Sequence, residues 1–255
     1  MSSDKNKNAI VITPLAKKRI LKDVIDIIKK PLTEHGIFYE HNSNNMLKGR
    51  CSIIGPIDTI YEYGIYTFEF LFPVNYPYSP PKLTYLTNDT NKTRFHPNLY
   101  RNGKVCLSIL NTWSGEQWSS CQTISTILLT LTTLFHNNSL LNEPGIKKTH
   151  RDYASYHQII QYRNYEYALT ETLYNIYKCY SQADKDAFYT FIFNKIIKNK
   201  DNIIHNIKKL IKSQKNNKTK CTGIYSMTCH IQYKNILDEI QKVFLLLENE
   251  KNTKT

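Results

Sequence analysis

The chain has 255 residues, of which 34 are lysine or arginine and 21 are aspartate or glutamate, and its formal net charge is +13 at pH 7. Hydrophobic residues make up 41% and charged residues 22%, proportions that are ordinary for a globular protein with a buried core. Roughly 20 consecutive apolar residues are needed to span a bilayer, and no stretch approaches this. The polar start, MSSDKNKN, lacks the apolar segment that is typical of a secretory signal. We therefore expect a cytoplasmic protein, a nuclear protein or both, with no membrane partner.

The cysteines and lysines predict neither a metal site nor a compact nucleic-acid surface. Cys221, Cys229 and His230 lie close in sequence, but their spacing fits no common zinc site. All six cysteines should be free thiols in a reducing compartment. The excess lysines lie partly in the first predicted helix and partly between Lys195 and Lys220, which indicates a solvated basic face. Nucleic-acid binding by the second stretch is the weaker alternative, since no known motif accompanies it.

Residues 1–12 are typical of a polar leader, and a helix is predicted to follow. Thr13 is a good helix cap, Pro14 suits the first helical position, and Pro31 should end the helix. Apolar residues recur at helical spacing between these points. We assign one apolar face to Ile20, Leu21, Val24, Ile25, Ile27 and Ile28.

The next region predicts an antiparallel meander of strands. From Gly64 to Phe72 apolar and polar side chains alternate, as they do in a half-buried strand. Tyr66, Phe68 and Phe70 should share one face, with Glu69 on the other. Weaker strand candidates are Gly36–Tyr39, Arg50–Ile54 and Lys82–Leu86.

The rest of the chain divides into a long loop and a helical part. Residues 87–122 show no periodicity and contain both tryptophans, and a loop this long in a compact domain is usually functional. A helix is predicted near residues 123–136, and the sequence NEPG at Asn142–Gly145 ends it. After residue 150 apolar residues recur at helical spacing to the end, with a solvated linker expected at 212–220.

The long loop contains one thiol that could carry chemistry. His96, Pro97 and Asn98 form a rigid turn seven residues before Cys106. Gly103, between them, permits a positive φ that could fold the loop back and bring Asn98 near Cys106. A thiol beside an amide could attack a carbonyl while the amide N–H stabilises the oxyanion. The residues alone favour a structural or incidental role for this cysteine over a catalytic one.

The segment HPNLYRNGKVCLSIL, followed by Trp113, resembles the active-site signature of ubiquitin-conjugating enzymes. NYPYSPPKL resembles the same family's proline-rich stretch. The two tryptophans of NTWSGEQW and the later NEPG are similar to the subclass of ubiquitin-conjugating enzyme Z and the BRUCE conjugating domain. The resemblance implies an α+β ubiquitin-conjugating fold: an N-terminal helix, a four-stranded antiparallel meander, the active-site loop and following helices. We expect a catalytic core at 13–150 and an α-helical C-terminal extension at 151–255.

The resemblance also implies catalytic roles. Cys106 would accept the terminal carboxyl of ubiquitin, or of a related modifier, as a thioester. Asn98 would stabilise the oxyanion or fix the loop, and His96 would shape its turn. Glu143 matches a position where an acidic residue helps to orient or deprotonate the incoming lysine. No cofactor, nucleotide or metal is implied for this step.

Further positions match partner-binding surfaces of the family. Tyr78 matches a ligase-docking position, and Trp118 begins a second docking loop. Ser120 and Cys121 depart from the residues usual there, which puts recognition by common RING ligases in question. The face that meets the activating enzyme corresponds to Lys17, Lys18, Arg19 and Lys22, whose charge would speed the encounter.

The predicted function is that of a ubiquitin-conjugating enzyme that transfers its modifier to substrate lysines, usually with a ligase. The main alternative is a catalytically inactive domain of the same fold that only binds ubiquitin or ligases. The intact signature around Cys106 disfavours it. A cysteine hydrolase is a weaker alternative, because a hydrolase nucleophile usually opens a helix whereas CLSIL predicts a loop or strand.

Overall fold

The computed structural model describes residues 11–180, 186–213 and 217–253. Most of the predicted leader, residues 1–10, therefore lies outside the described residues. The first helix, α1, spans Pro14–Lys29. The Thr13 side chain accepts a hydrogen bond from the backbone N–H of Ala16, so Thr13 caps the helix as predicted.

The predicted apolar face of α1 is only partly correct. Ile20 and Ile27 are buried, together with Ala16. The other large members of that face, Leu21, Ile25 and Ile28, are exposed. The buried stripe of α1 also includes Asp23. The Asp23 carboxylate accepts hydrogen bonds from Arg19 and from the buried Tyr76 hydroxyl. The buried side of α1 thus contains a carboxylate with two hydrogen-bond partners, whereas three apolar residues that were predicted to be buried face outward.

Four antiparallel strands form a meander in chain order, as predicted. They are β1 (Ile37–His41), β2 (Lys48–Ile54), β3 (Ile65–Leu71) and β4 (Lys82–Tyr85). Tyr66, Phe68 and Phe70 of β3 are buried and Glu69 is exposed, which confirms the predicted alternation. The next helix, α2 (Ile124–Thr132), is capped by Thr123 and buries its apolar side against the core.

The C-terminal part contains five helices among the described residues, joined at one point by a π-helical segment. The helices are α3 (Tyr153–Arg163), α4 (Thr172–Tyr180), α5 (Ala187–Lys198), α6 (Lys200–Lys212) and α7 (Tyr233–Thr253). The π-helical segment is Asn164–Glu171. None of the described helices has the length and apolar character to cross a membrane.

A β-hairpin, which the sequence analysis did not predict, interrupts these helices. Its strands are β5 (Lys218–Thr222) and β6 (Met227–Ile231). The predicted linker at 212–220 is therefore wrong at residue 212, which ends α6, and at residues 218–220, which belong to β5. Residues 214–216 lie outside the described residues. The strands are short and β5 is polar, so its lysines and threonines look like loop residues. β6 buries alternate residues over too short a length to stand out between helical patterns.

The C-terminal part packs closely against the sheet. The Tyr66 hydroxyl donates to Asn164 Oδ1 at 2.6 Å, and Asn164 Nδ2 donates to the Glu62 carbonyl at 2.9 Å. On the opposite face of the sheet, Phe38 of β1 contacts the rings of Phe188 and Phe191 from α5. The extension therefore covers the sheet on both sides.

Candidate active site

Cys106 follows a loop that folds back on itself, as the sequence predicted. Gly103 makes the turn with φ +87°, and a Cβ there would lie 3.1 Å from the Tyr85 carbonyl oxygen. The Cys106 N–H donates to the Asn98 carbonyl at 2.9 Å. Asn98 Nδ2 donates to the Cys106 carbonyl at 2.7 Å. Two hydrogen bonds therefore join the two residues that carry the predicted chemistry.

The observed bond of the Asn98 side chain is a loop-forming one. Its Nδ2 binds a backbone carbonyl, and its Oδ1 is buried with no hydrogen-bond partner among the described residues. The amide nitrogen carries two hydrogens, and the bond to the Cys106 carbonyl uses one of them.

His96 shapes the turn from inside the protein. Its Nδ1 accepts the backbone N–H of Asn98 at 3.0 Å. Burial lowers the pKa of His96 well below its ordinary value of 6.5, and the nearby His136 and Arg94 lower it further. A neutral imidazole suits this acceptor role and is unsuited to holding a positive charge.

Arg94 holds the same turn, and the sequence analysis did not identify it. Its guanidinium donates to the carbonyls of His96 and Pro97. It also stacks on the Tyr100 ring, 3.4 Å from the ring centroid. The planar fork of arginine suits this double task. The sequence alone does not distinguish Arg94 from other loop arginines, because its only distinguishing mark is that it precedes His96 by two residues.

Glu143 follows a short turn at Ser139–Asn142 and is half-buried. Its Oε2 accepts a 2.5 Å hydrogen bond from the hydroxyl of Tyr225, in the tip between β5 and β6. The backbone carbonyl of Tyr225 accepts a 2.5 Å hydrogen bond from Arg101 Nη2, in the loop before Cys106. Tyr225 therefore connects Glu143 to that loop. No pattern in the sequence pointed to Tyr225, because the hairpin itself was not predicted.

The described cysteines differ in environment. Cys106 is 1% exposed. Burial raises the pKa of Cys51, and burial raises the pKa of Cys229 to about 11, so both thiols are poor nucleophiles at neutral pH. Cys121, Cys179 and Cys221 are exposed. Within the described ranges, no group of three or more metal-binding side chains lies close enough to hold an ion.

The predicted contact residues of α1 fall into two sets. Lys17, Lys18 and Lys22 are exposed. Arg19 is half-buried: its guanidinium pairs with Asp23 at 2.9 Å and donates to the carbonyls of Ser120 and Gln122. Three cations are thus accessible, whereas the fourth holds α1 against the segment that follows Trp118.

Tyr78 and Trp118 lie on one surface. Tyr78 is 70% exposed. Trp118 is half-buried, and its Nε1 donates to the Pro77 carbonyl at 2.7 Å, next to Tyr78 in the chain. An exposed aromatic side chain beside a fixed tryptophan is the kind of feature that anchors protein partners. The structure therefore brings together the two residues assigned to ligase docking.

The family model for ubiquitin-conjugating enzyme matches residues 19–164. Ubiquitin-conjugating enzyme E2 Z of Xenopus tropicalis is 39% identical over 163 residues, which are 63% of this chain and 51% of that protein. The human Dual E2 ubiquitin-conjugating enzyme/E3 ubiquitin-protein ligase BIRC6 is 29% identical over 201 residues, 74% of this chain and 4% of that protein.

Among solved structures, human Ubiquitin-conjugating enzyme E2 G1 is 29% identical, with a TM-score of 0.42. The match covers 48% of this chain and 96% of that one. The chain spans about half the length of the E2 Z protein that it matches.

Proposed function

Because the chain belongs to the ubiquitin-conjugating enzyme family, we propose that Cys106 carries ubiquitin or a related modifier as a thioester. The observation that carries the proposal is the pair of hydrogen bonds between Asn98 and Cys106. They hold the backbone of Cys106 beside the side-chain amide of Asn98, which has a second N–H. An amide donor held near the reacting residue is the kind of group that stabilises the oxyanion of acyl transfer.

The proposed reaction has two acyl transfers. The Cys106 thiolate attacks the modifier's terminal carbonyl, which arrives as a thioester, and the thiol of the activating enzyme leaves. The substrate lysine amine then attacks the new thioester, an amide bond forms, and the Cys106 thiol is released. The thioester already stores the reactivity of the bond, so no ATP or metal acts at this step.

The incoming lysine must be neutral to attack, although the free side chain has a pKa near 10.4. A carboxylate beside the path of the amine can orient it and take its proton. We assign this role to Glu143, whose carboxylate the Tyr225 hydroxyl holds by one oxygen. Asn98 would steady the oxyanion, and neutral His96 would keep the turn in shape.

Partners are assigned to the surfaces described above. The exposed cations Lys17, Lys18 and Lys22 would meet the activating enzyme. Tyr78 and Trp118 would meet a ligase. Such a system operates in the cytoplasm, the nucleus or both, and its targets are protein lysines.

A charging assay tests the proposal directly. The full chain is incubated with ATP and a panel of activating enzymes and modifiers, and adducts are read on non-reducing gels. We expect a thiol-labile adduct on the wild type and none on Cys106→Ala. Cys106→Ser should give a hydroxide-labile ester or no adduct. Cys121→Ser, which changes an exposed cysteine, is the matched control and should charge normally.

One observation favours the inactive alternative. Cys106 is almost fully buried, and a thiol that stays covered could not react. The same assay separates the two readings, because an inactive domain forms no adduct with any enzyme and modifier pair. A thiol-labile adduct that persists in Cys106→Ala would refute the assignment of the residue.

A further inference from the structure

The tip of the C-terminal hairpin reaches the candidate active site. Tyr225 lies in this tip with φ +58°. Its hydroxyl donates to Glu143 Oε2, and its carbonyl accepts from Arg101 Nη2, each at 2.5 Å. Its ring lies 5.0 Å from the Arg94 guanidinium, which holds the turn at His96. One residue thus contacts each of the three segments that form the site.

The bond to Glu143 has a definite direction. Burial and the hydrogen bond to Glu143 raise the pKa of Tyr225 above its ordinary value of 10.0, so the hydroxyl stays protonated and donates. It binds Oε2, and no other hydrogen bond to this carboxylate exists among the described residues. Oε1 therefore remains to accept the N–H of an arriving amine, in an orientation that Tyr225 fixes.

The hairpin tip is also held at points independent of the hydroxyl. The Ile224 N–H donates to Asp152 Oδ2 at 2.8 Å. The Arg94 N–H donates to Met227 Sδ at 3.4 Å. The Tyr225 ring additionally packs against Tyr156, with ring centroids 6.0 Å apart. Removal of the hydroxyl alone should therefore leave the hairpin in place.

From this geometry we propose that Tyr225 is a positioning residue of the transfer step. Its hydroxyl orients the Glu143 carboxylate toward the incoming lysine, and its carbonyl holds the Cys106 loop through Arg101. The C-terminal hairpin is then part of the active site. This inference rests on the proposed function, in particular on the role of Glu143.

Tyr225→Phe is the sharpest test, because it removes only the hydroxyl and keeps the ring. The matched control is Tyr162→Phe, which removes a hydroxyl that donates to Glu166 at 2.9 Å elsewhere in the protein. Each full-length variant is charged, the thioester is isolated, and its discharge is followed with free lysine and with hydroxylamine. Hydroxylamine is largely unprotonated at neutral pH, so, unlike lysine, it does not need a carboxylate to make it neutral before it attacks.

Tyr225→Phe should charge normally and discharge to lysine about tenfold more slowly, below the hundredfold or more that general bases contribute. Its discharge to hydroxylamine and its melting temperature should match those of the control. Glu143→Gln should slow lysine discharge further, and adding Tyr225→Phe to it should have little additional effect, since both residues act on one step.

Several outcomes would overturn the inference. These are a wild-type rate of lysine discharge in Tyr225→Phe, an equal slowing with both nucleophiles, or a full effect that persists in the Glu143→Gln background. Faster discharge would show that the hydroxyl restrains Glu143 rather than orients it. A wild-type protein that never charges would instead refute the proposed function, and this inference with it.

Discussion

The segments on either side of Cys106 are built in opposite ways. Upstream, Arg94, His96 and Asn98 are buried, and their polar groups bind backbone within the loop. Downstream, residues 111–121 are mostly exposed, and Trp118 holds them to the Pro77 carbonyl. The upstream segment is fixed by the rest of the protein, while the downstream one presents side chains outward. Changes upstream should therefore cost stability, whereas changes to the exposed side chains downstream should cost only interactions with partners.

The largest expected effect comes from removing what supports the upstream segment. A fragment of residues 1–150 lacks Tyr156, whose hydroxyl donates to the carbonyls of Arg94 and Phe95, and also the buried Tyr165. Loss of one large buried aromatic costs about 3–5 kcal/mol, against a typical total stability of about 5–15 kcal/mol. We expect circular dichroism at about 25 °C, the temperature to which these energies refer, to show that the fragment is unfolded.

The full chain, measured in parallel, is the control for that experiment. A fragment that unfolds cooperatively and still accepts the modifier would show that the upstream loop does not need the extension. The domain boundary at residue 150, which remains a prediction from the sequence, would then also be a folding boundary.

Asn98→Asp probes the loop itself. The carboxylate cannot donate to the Cys106 carbonyl, and an unsatisfied buried group costs about 1–3 kcal/mol. We expect a melting temperature several degrees lower, about 2–4 °C for each kcal/mol, together with slower lysine discharge. Asn102→Asp adds the same charge to an exposed position of the same loop and keeps its acceptor for the Lys104 N–H.

The two roles of Asn98 predict different results. A slowing of about 100- to 1000-fold with unchanged melting would assign Asn98 as an oxyanion donor alone. Discharge at the wild-type rate would contradict both roles.

Tyr78→Ala probes the surface that Tyr78 forms with Trp118 of the downstream segment. Buried interface anchors contribute about 2 kcal/mol or more, which corresponds to about thirtyfold in affinity. We expect ligase-stimulated discharge to fall by this order, while charging and the melting temperature stay unchanged because the side chain is exposed. Tyr174→Ala, at another exposed tyrosine, is the control. Equal losses of charging and discharge would instead indicate a folding defect.

The smallest effect concerns acid stability. The pKa of His96 is well below 6.5 in the folded protein, so below that pH the unfolded chain binds a proton that the folded one does not. Stability should therefore fall as the pH drops below 6.5, by at most about 1.4 kcal/mol per pH unit for this group. His96→Asn keeps a short side chain with an acceptor and removes the titration.

Melting temperatures measured near pH 7.5 and near pH 5.5 test this linkage. The decrease should be about 2–4 °C smaller in His96→Asn than in the wild type. His205→Asn, at an exposed histidine, should show the wild-type decrease. Identical pH dependence in all three proteins would show that His96 is not protonated on unfolding in this range.

The sequence predicted those parts of the site that lie within one continuous motif. The HPN turn, Gly103 and Cys106 could be placed because their spacing is short and the turn is local. The family and its subclass, predicted from the same motif and its neighbours, are confirmed by the E2 Z and BIRC6 matches. The α+β fold and the meander followed from alternation in β3 and the order of the other strands.

What the sequence did not reveal depends on contacts between distant segments. Periodicity assigned Ile28 to the buried face of α1, but packing chose a narrower line that includes Asp23. Arg19 was assigned to a partner, and the structure shows it bound to two backbone carbonyls about 100 residues away along the chain. The hairpin could not be predicted from the sequence because its strands are short and one of them is polar.

The contacts of Tyr225 also determine when during synthesis the Cys106 loop can be braced. Its partners Glu143 and Arg101 precede it by 82 and 124 residues. A ribosome, adding about 5–20 residues per second, thus exposes the Cys106 loop seconds before the residues that brace it exist. If Cys106 acts as proposed, the nascent chain therefore carries its reactive loop for some time before Tyr225 can bind Arg101 and Glu143.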